Sequence, residues 1–152
     1  TIQGQERHLG FLRSMLEAGV PIDEDMVSWF TTEQLTRLQQ KQDTRFLSYF
    51  IRQMPKSCSA IICHNDEIAY WLIKELSYSN IRVPEDVSIV SFDNSYLSEL
   101  SIPRLTSLSH KPQETASAAV SLLTQKLLGQ NPISMQLPWY LVERNSTLWR
   151  AG

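Results

Sequence analysis

Apolar positions along the chain follow two different spacings, one typical of helices and one typical of buried strands. Leu9, Leu12 and Leu16 recur at helical intervals, and apolar residues three or four apart mark one face of an amphipathic helix. By contrast, residues 60–63 form a continuous apolar run, as expected when both faces of a parallel sheet are covered. The alternation of the two patterns predicts an α/β fold in which a parallel sheet is flanked by helices.

Prolines and glycines mark where the predicted elements begin and end. Pro55 ends one helix because proline cannot continue it, whereas Pro112 begins another helix and Gly129 ends that one. We expect helices over residues 5–16, 34–54, 66–79 and 112–128. We expect a β-prone run over residues 26–30, strands over 60–63, 87–92 and 105–108, and a last extended segment over 136–147.

Composition narrows the class of protein. The 152 residues are 42% hydrophobic and can bury one ordinary core, while no apolar run approaches the roughly 20 residues that span a bilayer. The formal net charge of −2 provides no general attraction to nucleic acid or to an anionic membrane. We therefore expect one domain that neither enters a membrane nor itself contacts DNA. The start of the chain is unlike a signal peptide, so the expected location is the cytoplasm.

The two cysteines, Cys58 and Cys63, flank the first strand and are poorly placed for a disulfide. Residues five apart on a strand are separated by roughly 16 Å, since each residue adds about 3.3 Å, and a disulfide cannot bridge that gap. Together with His64 they lack the second ligand pair of a zinc finger. We expect buried structural thiols and no metal site.

Motifs that carry enzymatic chemistry are absent from the sequence. It contains no G-x-S-x-G, no P-loop and no G-x-G-x-x-G. Its five glycines are too few to favour a loop that cradles phosphate. His8, His64 and His110 do not show metal-ligand spacing. The sequence therefore predicts a protein that is not an enzyme and needs no cofactor.

Polar pairs follow two of the predicted strands. Asn65 and Asp66 come directly after the first, and Asp93 and Asn94 come directly after the next. In open parallel sheets, ligands bind in the crevice outside the carboxyl ends of the strands. Both pairs fall on that edge, so the sequence predicts a site for a small polar ligand there.

Three motifs resemble the effector domain of the LacI/GalR bacterial transcription regulators. They are A-I-I-C-H-N-D-E-I-A, I-R-V-P-E-D-V-S-I-V-S-F-D-N and P-R-L-T-S-L-S-H, at residues 60–69, 81–94 and 103–110. Within that family the chain is most similar to the arabinose repressors, which join a GntR-type winged helix to a LacI-type effector domain. The opening T-I-Q-G-Q-E-R-H-L-G-F and the F-T-T-E at residues 30–33 carry that likeness. Ser91 departs from the usual glycine, and His110-Lys111-Pro112 reorders the usual H-P-K.

The resemblance implies a periplasmic-binding-protein-like fold of type I, with two lobes and a sugar between them. Measured against it, the chain is a fragment. Residues 1–109 are expected to form the second, C-terminal lobe, residues 110–135 the crossover and a helix of the first lobe, and residues 136–152 strands that return to the second. The DNA-binding domain is absent. Without the first lobe, the helix over 112–128 is expected to expose its apolar face, which comprises Ala119, Leu122, Leu123 and Leu127.

Under the resemblance, Arg7 and Asp93 are expected to hydrogen-bond the sugar hydroxyls. A guanidinium presents several fixed donors that suit two neighbouring hydroxyls, and a carboxylate accepts from both hydroxyls of a vicinal diol. The alternatives are a solvated arginine in a first helical turn, for Arg7, and a turn or helix cap, for Asp93.

Four further residues complete the expected site. Asn65 is expected to contact the ligand, while Asp66 caps the following helix or supports the site. Phe30, or Trp29 in its place, is expected to lie beneath the sugar, where a flat ring covers apolar C–H faces. Core packing is the alternative for both rings. His110, at the crossover between lobes, contacts the sugar, holds the hinge or is a solvated loop histidine.

The function implied by the resemblance is sugar sensing in a bacterial transcriptional repressor. A sugar, expected to be L-arabinose, binds between the lobes and releases repression. The protein is expected to be a cytoplasmic homodimer that reaches operator DNA only through a domain outside this chain. A stand-alone sugar-binding transport receptor of the same fold is the alternative, and a sugar-modifying α/β enzyme is a more remote one.

Overall fold

The structure is a computed structural model that describes residues 2–23 and 26–149. The elements within these residues are α1 (Ile2–Glu17), α2 (Thr32–Lys41), α3 (Arg45–Gln53), β1 (Ala60–Ile62), α4 (Asp66–Tyr78), β2 (Ser88–Phe92), α5 (Tyr96–Leu100), β3 (Thr106–Ser109), α6 (Pro112–Leu127) and β4 (Tyr140–Val142). Helices and strands alternate through most of the chain, so the α/β prediction is confirmed.

The four strands form one mixed sheet in the order β1-β2-β3-β4. β1 pairs with β2 and β2 with β3 in parallel, whereas β4 pairs with β3 antiparallel. Parallel strands joined in sequence bring their carboxyl ends to the same edge. The residues that follow β1, β2 and β3 therefore lie along that edge, and the residues that precede β4 join them there.

The core lies between α4 and the sheet, and α3 packs against α4. α4 contributes Ile68, Ala69, Leu72, Ile73 and Leu76, all of them buried. Leu38 and Leu47 come from α2 and α3, and the core cluster also includes Val87, Ile89 and Leu105. A helix with this many buried residues is held by packing more than by its own helical propensity.

Two element predictions are wrong. The expected helix over 34–54 is two helices, because Gln42 adopts the left-handed conformation with φ 53° and ends α2. The polar run Q-Q-K-Q-D-T at residues 39–44 has no apolar residue to continue the buried face. The β-prone run over 26–30 is not a strand at its described residues. Conversely, α5 was not predicted, and β4 occupies only part of the extended segment.

None of the residues of α6 is buried, which α6 shares with α1 but not with α2, α3 or α4. Its apolar residues Val120, Leu123 and Leu127 are 64%, 60% and 79% exposed. The apolar face predicted from the sequence is thus uncovered, although Leu122 is half-buried.

Both cysteines are free, as predicted, with Cys63 buried and Cys58 half-buried. Burial raises the pKa of the Cys63 thiol to about 12, and the nearby Asp66 carboxylate acts in the same direction. Among residues 2–23 and 26–149, no helix is both long enough and apolar enough to cross a membrane.

Candidate functional site

An ion pair between Arg7 and Asp93 lies at the carboxyl edge of the sheet. The Arg7 Nη2 atom donates to the Asp93 Oδ1 atom at 3.0 Å, and Nη1 donates to the carbonyl oxygen of His64. α1 thus reaches the residues that follow β1 and β2. The Arg7 side chain is only 12% exposed, whereas that of Asp93 is 38% exposed and open to a ligand. The solvated arginine considered for Arg7 is not what the structure shows.

Asp93 and Asn94 form a tight turn with unusual backbone angles. Their φ values are 98° and 49°, a region that residues with a side chain seldom occupy. The Asp93 N–H donates to the Leu108 carbonyl at 2.8 Å, and the Asn94 N–H donates to the Ser107 Oγ at 3.0 Å. Asp93 does not cap α5, since Ser95 occupies that position. β3 therefore holds the turn in a strained conformation.

Aromatic rings surround the Arg7 guanidinium. Its carbon lies 4.3 Å from the centre of the Phe92 ring and 5.9 Å from that of Trp139. The two rings pack edge to face with centres 5.9 Å apart, and Trp139 lies 5.6 Å from the exposed His110 ring. Cations over aromatic faces are attracted by the ring quadrupole. The guanidinium is thereby held in place beside Asp93.

Trp139 was not among the predicted site residues. It reaches the site because the β3–β4 register pairs Ser109 with Tyr140, which brings the residue before β4 next to His110. Its ring is 44% exposed. The sequence offers one signal, a tryptophan at the start of an extended segment, and that signal does not specify which strand the segment pairs with.

The Asn65-Asp66 pair is divided differently from the prediction. The Asn65 Oδ1 atom accepts from the Ile68 N–H at 3.0 Å, so Asn65 is the N-cap of α4 and the assignment of the cap to Asp66 is wrong. Asp66 is buried behind the site at 1% exposure. The cap uses only the Oδ1 atom of Asn65, and the contact of this residue with a ligand stays a prediction.

The two candidate rings upstream of α2 pack against different neighbours. Phe30 is half-buried, with its ring centre 5.6 Å from that of His64 and 5.8 Å from that of Phe46. Trp29 is 63% exposed and lies 5.1 Å from the His8 ring of α1. Phe30 therefore borders the site through His64 and also joins the core, while Trp29 packs on α1.

The surroundings of the His64 imidazole disfavour its protonated form. Burial lowers its pKa below the ordinary 6.5, the Arg7 cation lowers it further, and Asp93 opposes both. The charged side chains at the turn are the paired Arg7 and Asp93, together with Arg144, which bonds Asn94, and Asp66, which bonds the Ser95 N–H. No group of three His, Cys, Asp or Glu side chains suited to a metal ion occurs in the part of the chain that the structure describes. A cationic donor, an anionic acceptor and exposed rings suit a neutral ligand rich in hydroxyl groups.

Comparison with known proteins places this geometry in a family. The sequence matches the family described as periplasmic binding protein-like domain over residues 2–147. It is 28% identical over 146 residues to the HTH-type transcriptional regulator RegA of Clostridium saccharobutylicum, covering 94% of this chain and 42% of that protein. It is 30% identical over 122 residues to the arabinose metabolism transcriptional repressor of Halalkalibacterium halodurans, covering 80% of this chain and 32% of that protein.

A solved structure shows the same fold. The transcriptional regulator CelR–cellobiose complex superposes with a TM-score of 0.78 and 26% identity, and the match covers 94% of this chain and 42% of that one. The chain thus spans less than half the length of each of these three proteins. The family match covers nearly all of the sequence and includes the helix, strands and turn that build the site. The chain belongs to the periplasmic binding protein-like domain family, and LacI-type transcription regulators are among its relatives.

Proposed function

We propose that this chain is the sugar-sensing part of the effector domain of a bacterial transcriptional repressor, and that its sugar is L-arabinose. The observation that carries the proposal is the Arg7–Asp93 ion pair, stacked on Phe92 at the carboxyl edge of the sheet. That edge is where ligands bind in open α/β sheets. The names of the relatives support the proposal, since one regulates arabinose metabolism and another was solved with cellobiose.

The chemistry of the pair suits a sugar. Arg7 can donate to one hydroxyl while the exposed part of Asp93 accepts from its neighbour, and the two side chains already hold each other in register at 3.0 Å. Trp139 and Phe30 border the pair with apolar rings that can cover the C–H faces of a pyranose. Asn65 follows β1 and His110 follows β3, so both lie at the same edge of the sheet as the pair. Their contacts with the ligand are part of the proposal.

The site on this chain is one half of a cleft. We assign residues 1–109 to the second lobe, residues 110–135 to the crossover and a helix of the first lobe, and residues 136–152 to the return. The uncovered apolar residues of α6 support this division, because a helix of the first lobe would pack on residues outside this chain. The first lobe would close on the sugar from the other side.

Repression would be relieved by a shift in population. The two lobes would adopt two arrangements, one of which holds operator DNA. If the sugar binds the other arrangement more tightly, the difference between its two binding free energies sets how far the population shifts away from the DNA-bound arrangement. Residues 109–111 and the approach to Trp139 connect the lobes and would contain the hinge. The full-length protein would act in the cytoplasm as a homodimer and bind DNA through a domain that this chain lacks.

Calorimetric titration of the full-length protein tests the proposal. L-arabinose, D-galactose, D-ribose and D-xylose are titrated in turn, and L-arabinose is expected to bind most tightly. Arg7→Ala should weaken binding by about a hundredfold, since it removes charge-assisted hydrogen bonds and leaves Asp93 unpaired. Arg13→Ala changes an exposed arginine of the same helix and should leave the affinity unchanged. Binding no better than about millimolar for all four sugars would refute the proposal.

A further inference from the structure

We propose that Asp66 is a positioning residue that sets the geometry of the Asp93 turn, and that Ser91 and Ser107 align its carboxylate for this task. The inference rests on the proposed function, because the turn carries the acceptor for the sugar. It assigns a role in ligand binding to three buried side chains that do not reach the ligand surface.

The carboxylate of Asp66 collects three hydrogen bonds. Ser91 Oγ and Ser107 Oγ both donate to its Oδ1 atom, at 2.5 Å and 2.6 Å, and the Ser95 N–H donates to Oδ2 at 2.5 Å. Asp66, Ser91 and Ser107 are 1%, 0% and 0% exposed. All three donors therefore converge on one buried side chain and hold it in a single orientation.

These bonds tie down the backbone of the turn. The Ser95 N–H reaches Asp66 directly, and the Asn94 N–H reaches it through Ser107, whose Oγ accepts from Asn94 and donates to Asp66. Asp66 thus accepts directly from one of the three N–H groups at residues 93–95, and it holds a second one through the hydroxyl of Ser107. The Asn94 side chain is held separately by Arg144 at 2.8 Å.

The turn needs such support because its backbone is strained. Positive φ values at two successive residues with side chains cost free energy unless surrounding bonds enforce them. If the carboxylate of Asp66 were lost, Asp93 would relax and its Oδ1 atom would leave the position that faces Arg7. Asp66 therefore acts on the ligand through Asp93, and not by contact.

Ser91 is the most distinctive member of the group. Its hydroxyl reaches the Asp66 carboxylate from within the strand that leads into the turn, and it adds a third donor to that carboxylate. The side chain lies in β2, two residues before Asp93, so it also fixes where Asp66 stands relative to the end of that strand. We expect Ser91→Ala to have a smaller effect than a change at Asp66, because the Ser107 and Ser95 bonds remain.

The test is a double-mutant cycle in the full-length protein. Asp66→Asn keeps the shape of the side chain but replaces one acceptor oxygen by an NH2 group. That group would face donors that now bond the carboxylate. The variant should weaken binding of L-arabinose, or of whichever of the four sugars binds most tightly, by about tenfold. In the Asp93→Asn background, Asp66→Asn should weaken sugar binding by less than about twofold, because the residue through which Asp66 acts is already altered. Equal losses in both backgrounds would overturn the proposal.

A control variant and a replacement variant separate an effect of Asp66 on the turn from a general effect on folding. Ser146→Ala removes another buried hydroxyl, which bonds Thr106 and Ile89, and it should lower thermal stability without changing sugar affinity. If Asp66→Asn does not fold, Ser91→Ala takes its place in the cycle, with an expected loss of about threefold.

Amide hydrogen exchange gives a result that does not depend on any sugar. In the ligand-free protein, Asp66→Asn or Ser91→Ala should speed exchange in the peptide that covers residues 93–98, while Ser146→Ala should not. If the wild-type protein binds none of the four sugars, the proposed function fails and exchange alone decides whether Asp66 holds the turn. Unchanged exchange at residues 93–98 would refute the role of Asp66 even if sugar binds.

Discussion

The turn after β2 and the helix α6 are opposite kinds of region in one small fold. Around the turn, even polar side chains are buried, and Ser91, Ser107 and Asp66 satisfy one another within the chain. Along α6 even leucines are exposed, with Leu127 at 79%. The first region is complete within this sequence, because its partners are all present. The second leaves an apolar face uncovered, so the two regions are expected to respond differently to mutation.

The largest expected difference is in folding stability. Leu76→Ala removes a fully buried side chain from α4 and should lower the free energy of unfolding by about 3 kcal/mol, through lost apolar burial and the cavity left behind. Leu127→Ala is the matched control in α6. It should change the free energy of unfolding of the isolated chain by less than about 0.5 kcal/mol. Urea denaturation measures both. A large loss for Leu127→Ala would show that α6 packs on this lobe after all.

A second comparison concerns two tryptophans, one at the site and one away from it. Trp139 borders the Arg7 guanidinium, and Trp149 is 86% exposed near the end of the described chain. Trp139→Ala should weaken sugar binding by about fivefold, as expected for loss of an aromatic contact, and Trp149→Ala should leave it unchanged. Calorimetric titration of the full-length variants measures this. Equal affinities would remove Trp139 from the site.

The smallest expected effect is the pH dependence contributed by His64. Burial depresses the pKa of its imidazole in the folded state, so below pH 6.5 the unfolded chain binds more protons than the folded one. Stability from this group is therefore present above pH 6.5 and declines as the pH falls through 6.5 toward the lower folded pKa. His64→Gln should flatten the stability profile between pH 7.5 and 5.5. If stability depends on pH as steeply in the variant as in the wild-type protein, groups other than His64 account for the pH dependence.

The order of the helices and strands could be predicted from the spacing of apolar residues, because those residues are the ones that pack in the core. Residues 60–62 and 88–92 are strands, and residues 66–78 and 112–127 are helices, within a residue or two of expectation. The break at Gln42 was missed since helical propensity favours continuation through a polar run. The antiparallel β4 was not foreseen, because strand direction depends on where the chain returns after α6.

The candidate site shows the same limit. The motif around residues 92–94 pointed to Asp93, and the structure pairs Asp93 with Arg7, 86 positions earlier in the sequence. It did not point to Trp139, whose place depends on the register of β4. It left Asp66 as either the cap of α4 or a support for the site, because both Asn65 and Asp66 are good capping residues and only the direction of each side chain shows that Asn65 is the cap.

The sequence by itself determined the α/β class, the edge of the sheet that carries the polar pairs and the apolar face of α6. Those properties follow from local periodicity and from the common direction of parallel strands. Only the tertiary structure decided that Arg7 stacks on Phe92, that Trp139 joins it, and that Asp66 is buried beneath the turn. Contacts of that kind join residues far apart in sequence, and no local pattern encodes the distance between them.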